Sequence, residues 1–143
     1  AFEYILRCNP KYILILDLKD FANSINVNRL IGMLECIDIP IELIHLIRNS
    51  IKHSTNGLPK GNSLTSVLSN FYLSPIDKLF STNYCRFSDD LVFGLQSEKE
   101  VKIIMEIINP LLTQLELEIS INKTVFIKNT EAIKIINEYP WLI

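Results

Sequence analysis

The stretch YCRFSDDLVFG, residues 84–94, places two adjacent carboxylates between segments that are typical of buried strands. These carboxylates belong to Asp89 and Asp90, in a chain that is 48% hydrophobic. An ionised carboxylate is costly to bury unless a cation, hydrogen bonds or exposure at a turn compensates it. The pattern therefore predicts a tight β-hairpin whose tip carries the Asp pair. An Asp pair can also form no more than a polar turn, and the rest of the sequence decides between the two.

Length and composition favour one globular unit over residues 1–143, without a linker or repeat. The net charge of −2 gives no overall attraction for a polyanion, so contact with nucleic acid would depend on local basic groups. The three cysteines, Cys8, Cys36 and Cys85, are far apart, form no metal-ligand pattern and favour a reducing cytoplasm. No apolar run approaches the roughly 20 residues that span a bilayer, so we expect no membrane segment.

The first half of the chain alternates between one strand and several helices. The apolar run 12–16 predicts a central strand that ends at Asp17. Asn26 is a typical capping residue for a helix to about residue 36, and Pro40 suits the first turn of another helix. Residues 54–63 are rich in Gly, Pro and Asn and predict a loop, after which residues 64–80 predict a long buried helix that Pro75 could kink.

The second half predicts the hairpin, one helix and two strands. Ser97 and Glu100 form a capping-box pattern for a helix to about residue 115, with Pro110 as a further kink point. Apolar and polar residues alternate over 117–121, which predicts a half-buried strand, and residues 125–127 predict the start of another.

This order of elements predicts an α+β fold with a ferredoxin-like (split βαβ) sheet and a long helix inserted before the hairpin. In such a sheet the first strand lies beside the third. We therefore expect Asp17, at the end of the first strand, to lie next to Asp89 and Asp90.

Three carboxylates that converge at the rim of a sheet repel one another unless cations are present. Mg²⁺, or Mn²⁺ in its place, is the hard ion that prefers carboxylate oxygens and open coordination positions. Two such ions commonly assist in-line displacement at phosphorus. Such a site would suit in-line displacement at phosphorus, although an Asp pair considered by itself is more often a polar turn.

Four segments resemble the palm motifs of reverse transcriptases, in particular those of bacterial retrons, group II introns and phage-defence systems. They are LILDLKDFANSI (14–25), GLPKGNSLTSVLSNFYLSPID (57–77), YCRFSDDLVFG (84–94) and LELEISINKT (115–124). Their order and spacing match the family over residues 12–128. The resemblance implies a polymerase palm that binds an RNA template, a DNA or RNA primer and a dNTP.

By this resemblance, two Mg²⁺ ions would be chelated by Asp17 and Asp89, with Asp90 in support and the Leu18 carbonyl as a further ligand. The primer 3′-hydroxyl would attack the α-phosphate of the nucleotide and release pyrophosphate. Lys123 would be the acid that protonates the pyrophosphate, although a lysine at a strand edge can also be merely solvated.

The resemblance also implies a set of substrate-binding residues. They are Leu18, Phe21, Ala22, Gly57, Leu58, Pro59, Lys60 and Gly61. Ala22 stands where the family usually has a bulky Phe or Tyr that excludes the ribose 2′-oxygen, so we expect poor discrimination against ribonucleotides unless Phe21 substitutes. Gly57 and Gly61 would let the loop backbone approach the nucleotide, or would mark an ordinary flexible loop. Lys60, where Gln is usual, adds a cation.

We expect the chain to be a palm fragment that lacks most of the fingers and all of the thumb, and to polymerise poorly by itself. Two other hypotheses remain open at this point. One is a template-independent nucleotide polymerase of the phage-defence type, and the other is a non-catalytic palm remnant.

Overall fold

A computed structural model describes residues 2–51, 57–59, 61 and 63–131 of the chain, the side chains of Phe2 and Glu3 excepted. These residues contain a four-stranded sheet in the spatial order β2-β3-β1-β4, in which all neighbouring strands are antiparallel. The strands are β1 (Tyr12–Asp17), β2 (Tyr84–Phe87), β3 (Asp90–Leu95) and β4 (Val125–Lys128). This is the predicted ferredoxin-like order, and the α+β fold class is confirmed.

Helices connect the strands and supply the inserted element before the hairpin. They are α1 (Phe2–Arg7), α2 (Phe21–Ser24), α3 (Val27–Glu35), α4 (Ile41–Ile51), α5 (Ser63–Asp77) and α6 (Lys99–Gln114). Helix α5 is the predicted long helix and ends three residues earlier than expected, while the sequence analysis did not predict α1 or α2. Within the described ranges, no helix combines the length and apolar character needed to cross a membrane.

Strand β1 lies in the middle of the sheet and is buried on both faces. Its side chains at positions 14 and 16 pack, together with Phe93, against the helices of the main core. Those at positions 13 and 15 pack on the opposite face with Val92 and with Ile5 of α1. Because side chains alternate along a strand, one continuous apolar run serves both faces, and this fixes the position of Asp17 at the strand end.

Two predicted helix starts can be compared with the structure. The Asn26 side chain accepts a hydrogen bond from the Arg29 backbone N–H at 3.0 Å, as expected of a cap for α3. At the start of α6 the Glu100 carboxylate accepts from the Gln96 N–H at 3.2 Å and from the Ser97 hydroxyl at 3.0 Å. The predicted capping box is therefore not formed, because the carboxylate bonds the N–H of Gln96 instead of that of Ser97 and the Ser97 hydroxyl donates to the carboxylate.

The prediction of a strand over residues 117–121 is wrong. Only Ile119 pairs, in a single bridge with Leu18, and residues Ile121–Lys123 form a 3₁₀ turn in which Ile121 is 85% exposed. Further along, Ile15 of β1 pairs with Val125 of β4. Six residues thus lead from position 119 to position 125, opposite only three residues from position 18 to position 15. The three additional residues form the turn. This bulge brings residue 123 to the rim of the sheet near Asp17.

Tyr72→Phe should destabilise the chain by about 1 to 2 kcal/mol. Tyr72 is fully buried on α5 and donates a hydrogen bond to the Leu115 carbonyl at 2.7 Å. Removing the hydroxyl leaves this buried carbonyl without its side-chain donor. Urea unfolding followed by circular dichroism measures the change, and a loss below about 0.3 kcal/mol would contradict the account.

Candidate active site

The register of the sheet places Asp17 directly opposite Asp90. The two residues are partners in the β1–β3 ladder, and Phe87 of β2 pairs with Asp90 from the other side. Ser88 and Asp89 therefore form a two-residue turn, in which Ser88 has a left-handed φ of +55°. The predicted juxtaposition is found, with one difference: Asp89 lies in the turn, whereas Asp90 is the first residue of β3.

Lys123 lies against Asp17. Its Nζ is 3.3 Å from Asp17 Oδ1 and 3.4 Å from Oδ2, and Asp17 is only 15% exposed. Like charges that face each other across a sheet destabilise it, so the lysine compensates the negative charge of the Asp17–Asp90 pair. The lysine of the fourth motif is therefore at the site.

The oxygens at this rim are of the chemical kind that a hard cation prefers. Asp17 Oδ1 is buried and accepts no hydrogen bond, so that the ion pair with Lys123 Nζ at 3.3 Å leaves its acceptor capacity unused. The Asp17 carbonyl accepts from the Ser120 N–H at 2.8 Å, and because carbonyls alternate along a strand, the Leu18 carbonyl points toward the hairpin. Among the residues that the structure describes, no three His, Cys, Asp or Glu side chains form a group that could hold a metal ion.

A cavity of about 430 Å³ opens beside the turn. Ser88 and Asp89 line one side, and polar residues of α5 including Asn70 line another. Phe21 and Ala22 also border the cavity, but Phe21 is 95% buried and packs into the main core. A larger apolar cavity of about 630 Å³ lies between α6 and the sheet. None of the three aspartates lines it, whereas Asp89 lines the smaller cavity, which is therefore the candidate site.

The described part of the 57–61 loop docks on the backbone of α2. The Leu58 N–H donates to the Ala22 carbonyl at 2.8 Å. Gly57 has φ +64°, and a Cβ there would collide with the same carbonyl and lie 2.5 Å from the Asn23 Cα. Glycine at position 57 thus allows the close approach of the two backbones. The Thr65 hydroxyl also donates to the Pro59 carbonyl, while Lys60 lies outside the described residues.

The sequence analysis missed an ion pair that joins the hairpin to α5. Arg86 donates from Nε and Nη2 to the two Asp77 oxygens at 2.9 and 2.7 Å, and the Tyr84 hydroxyl donates to Asp77 Oδ1 at 2.8 Å. Burial raises the pKa of Asp77, but the hydrogen bonds from Arg86 and Tyr84 outweigh it and hold that pKa below its usual value. The one signal in the sequence was a charged residue at position 86 in an otherwise apolar strand.

The chain is similar to known proteins in sequence and in fold. The sequence profile of the reverse transcriptase (RNA-dependent DNA polymerase) family matches residues 6–136. No curated protein sequence matches the chain.

Two solved structures share the fold. Telomerase from Candida albicans, in complex with a TWJ fragment of telomeric RNA, superimposes with a TM-score of 0.63 at 14% identity. Apo telomerase from Candida tropicalis superimposes with a TM-score of 0.66 at 16% identity. Each match covers 90% of this chain, and the chain spans 29% and 31% of the two telomerase chains. These likenesses extend to the fold alone, and a bacterial affiliation stays a prediction.

Gly57→Ala should destabilise the chain by about 2 kcal/mol more than Gly61→Ala. Both glycines have positive φ, but a Cβ at position 61 meets nothing within 4 Å. The two variants therefore share the backbone strain, and only Gly57→Ala adds a collision with the α2 backbone. Thermal melting of both variants measures the difference, and equal losses would contradict the close approach.

Proposed function

The chain belongs to the reverse transcriptase family, and from that premise we propose that it forms the palm of an RNA-directed DNA polymerase that transfers a nucleotide from a dNTP to a primer 3′-hydroxyl. The observation that carries the proposal is the pairing of Asp17 with Asp90, next to the Asp89 turn and the cavity beside it. This places acidic groups from two separate motifs at one edge of the sheet.

The proposal includes a magnesium site at this edge. Asp17 and Asp89 would hold the ions, with the Leu18 carbonyl as a further ligand and Asp90 in support. Asp17 Oδ1 is buried and accepts no hydrogen bond, with Lys123 Nζ as its ion-pair partner at 3.3 Å, and this oxygen and the hard character of carboxylates favour the assignment. Bound Mg²⁺ or Mn²⁺ supplies activation of the attacking hydroxyl and stabilisation of the leaving oxygen in an in-line displacement at phosphorus.

The protein residues then orient the reactants and move one proton. The cavity beside Ala22 receives the nucleotide, and the loop docked through Gly57 and Leu58 forms one wall of its site. The primer 3′-hydroxyl loses its proton to solvent, its oxygen forms a bond to the α-phosphorus, and the bond to pyrophosphate breaks. Lys123 donates the proton from Nζ to the departing pyrophosphate, a role that its position 3.3 Å from Asp17 Oδ1 supports.

Grip on the nucleic acid requires more positive charge than these residues offer. The net charge of −2 gives little attraction for an RNA template or a DNA primer. We therefore assign the main grip on the primer-template to fingers and thumb segments that act together with this palm. The fraction of each telomerase chain that the match covers is consistent with such a division.

Asp17→Asn should abolish the stabilisation of the chain by Mn²⁺. At Mn²⁺ concentrations about 100 times the dissociation constant, binding adds about 2.7 kcal/mol, which raises the melting temperature of a chain of this size by about 5 to 10 °C. The matched control is Asp38→Asn, which changes an exposed aspartate far from the hairpin in sequence and should retain the full shift. A full shift in Asp17→Asn, or none in the unmodified chain, would contradict the proposed metal site.

The small side chain of Ala22 should leave the site with little preference for deoxyribose. In the presence of Mn²⁺ we expect ATP and dATP to bind with dissociation constants within about threefold of each other, because Ala22 presents no bulky side chain to the 2′-oxygen. Ala22→Phe should weaken ATP relative to dATP by about tenfold. Competition against a fluorescent nucleotide measures both ratios. A preference for dATP above about tenfold in the unmodified chain would contradict this and assign the gate to Phe21.

A further inference from the structure

Arg86 connects three parts of the candidate site through four hydrogen bonds. Two run to the Asp77 carboxylate at the end of α5. The other two leave Nη1, one for Asn70 Oδ1 at 2.8 Å and one for the Ser88 carbonyl at 2.9 Å. Asn70 and Asp77 are two helical turns apart and so lie on one face of α5. One guanidinium therefore joins the tip of the hairpin to a rigid helix.

The hydrogen bond to the Ser88 carbonyl fixes the turn at the residue whose backbone conformation is least favourable. Ser88 is not a glycine, yet its φ is +55°, a conformation that costs of the order of 1 kcal/mol or more for such a residue. The carbonyl that Arg86 holds belongs to the peptide group linking Ser88 to Asp89. The direction of that peptide group sets where the Asp89 side chain leaves the backbone.

The ion pair is also built to stay charged and in place. The Arg86 side chain is only 11% exposed, and the two oxygens of Asp77 accept from two guanidinium nitrogens in a fork. The hydrogen bond to Asp77 raises the pKa of Arg86. A lysine would bring a point charge with three donors and could not reproduce the planar fork while also reaching Asn70 and the turn.

We propose that Arg86 is a positioning residue for the metal site: by tying the Ser88 carbonyl to Asn70 and Asp77 of α5, it holds Asp89 in place beside the Asp17–Asp90 pair. This inference rests on the proposed function. The simpler alternative is that Arg86 only stabilises the hairpin. The two differ in their consequence for a folded variant, because only positioning weakens metal binding at temperatures where the chain stays folded.

The test is the affinity of the chain for Mn²⁺, measured by electron paramagnetic resonance of the free ion well below the melting temperature. Arg86→Lys should bind Mn²⁺ about 10 to 100 times more weakly than the unmodified chain, as is typical when a group that orients a metal ligand is lost. Far-UV circular dichroism checks that the variant is folded.

Two further variants sharpen the result. Arg48→Lys is the matched control, because Arg48 on α4 forms an ion pair at 3.2 Å with Glu35 on α3. This variant should bind Mn²⁺ within about twofold of the unmodified chain. Should Arg86→Lys fail to fold, Asn70→Ala takes its place. It removes one contact of Nη1, leaves the Asp77 pair, and should weaken Mn²⁺ binding by about threefold with little change in melting temperature.

The outcomes separate this inference from the function on which it rests. If the unmodified chain binds Mn²⁺ at a site that Asp17→Asn abolishes, and folded Arg86→Lys or Asn70→Ala binds as tightly as the unmodified chain, the positioning role is overturned and the proposed function stands. If the unmodified chain binds no Mn²⁺ through Asp17, both are overturned.

Discussion

The antiparallel pairing of β1 with β3 is the constraint on which the site depends. Its register joins Leu16 to Leu91 in the core and, one step further, Asp17 to Asp90 at the rim. A shift by one residue would turn every side chain of β3 to the other face, so that Leu91, which is fully buried in the main core, would exchange faces with Val92 of the second core. The hydrophobic core on both faces of the sheet therefore fixes the position of the carboxylates.

The same pairing creates an electrostatic problem at the edge of the sheet. Two carboxylates oppose each other, a third follows in the turn, and Asp17 Oδ1 is buried without a hydrogen bond. Lys123 partly compensates this charge from the 3₁₀ turn that the surplus residues before β4 form. A divalent cation at these oxygens would compensate the negative charge more fully. The charge of the site and the fold that the chain shares with reverse transcriptases therefore favour the same position for a cation.

Local patterns in the sequence were sufficient for the elements that local interactions determine. The apolar run ending at Asp17, the Asn26 cap and the hairpin around Asp89 were all predicted, and the order of elements was sufficient for the sheet topology. The prediction of a strand over 117–121 was wrong because the conformation of this segment depends on the register of β4 with β1. The alternation of apolar and polar residues within the segment carries no information about that register. The Arg86–Asp77 ion pair was not predicted, because it forms only when α5 packs against the hairpin and no local pattern in the sequence indicates that packing.

The central claim is that one divalent-cation site lies between the end of β1 and the hairpin turn. Broadening of backbone amide signals by Mn²⁺ in a ¹⁵N-labelled sample tests it directly, because the effect falls steeply with distance from the ion. The account predicts that substoichiometric Mn²⁺ broadens residues 16–19, 88–91 and 119–123 first. Broadening centred on another acidic surface, such as that around Glu98, or spread evenly over the chain, would contradict it.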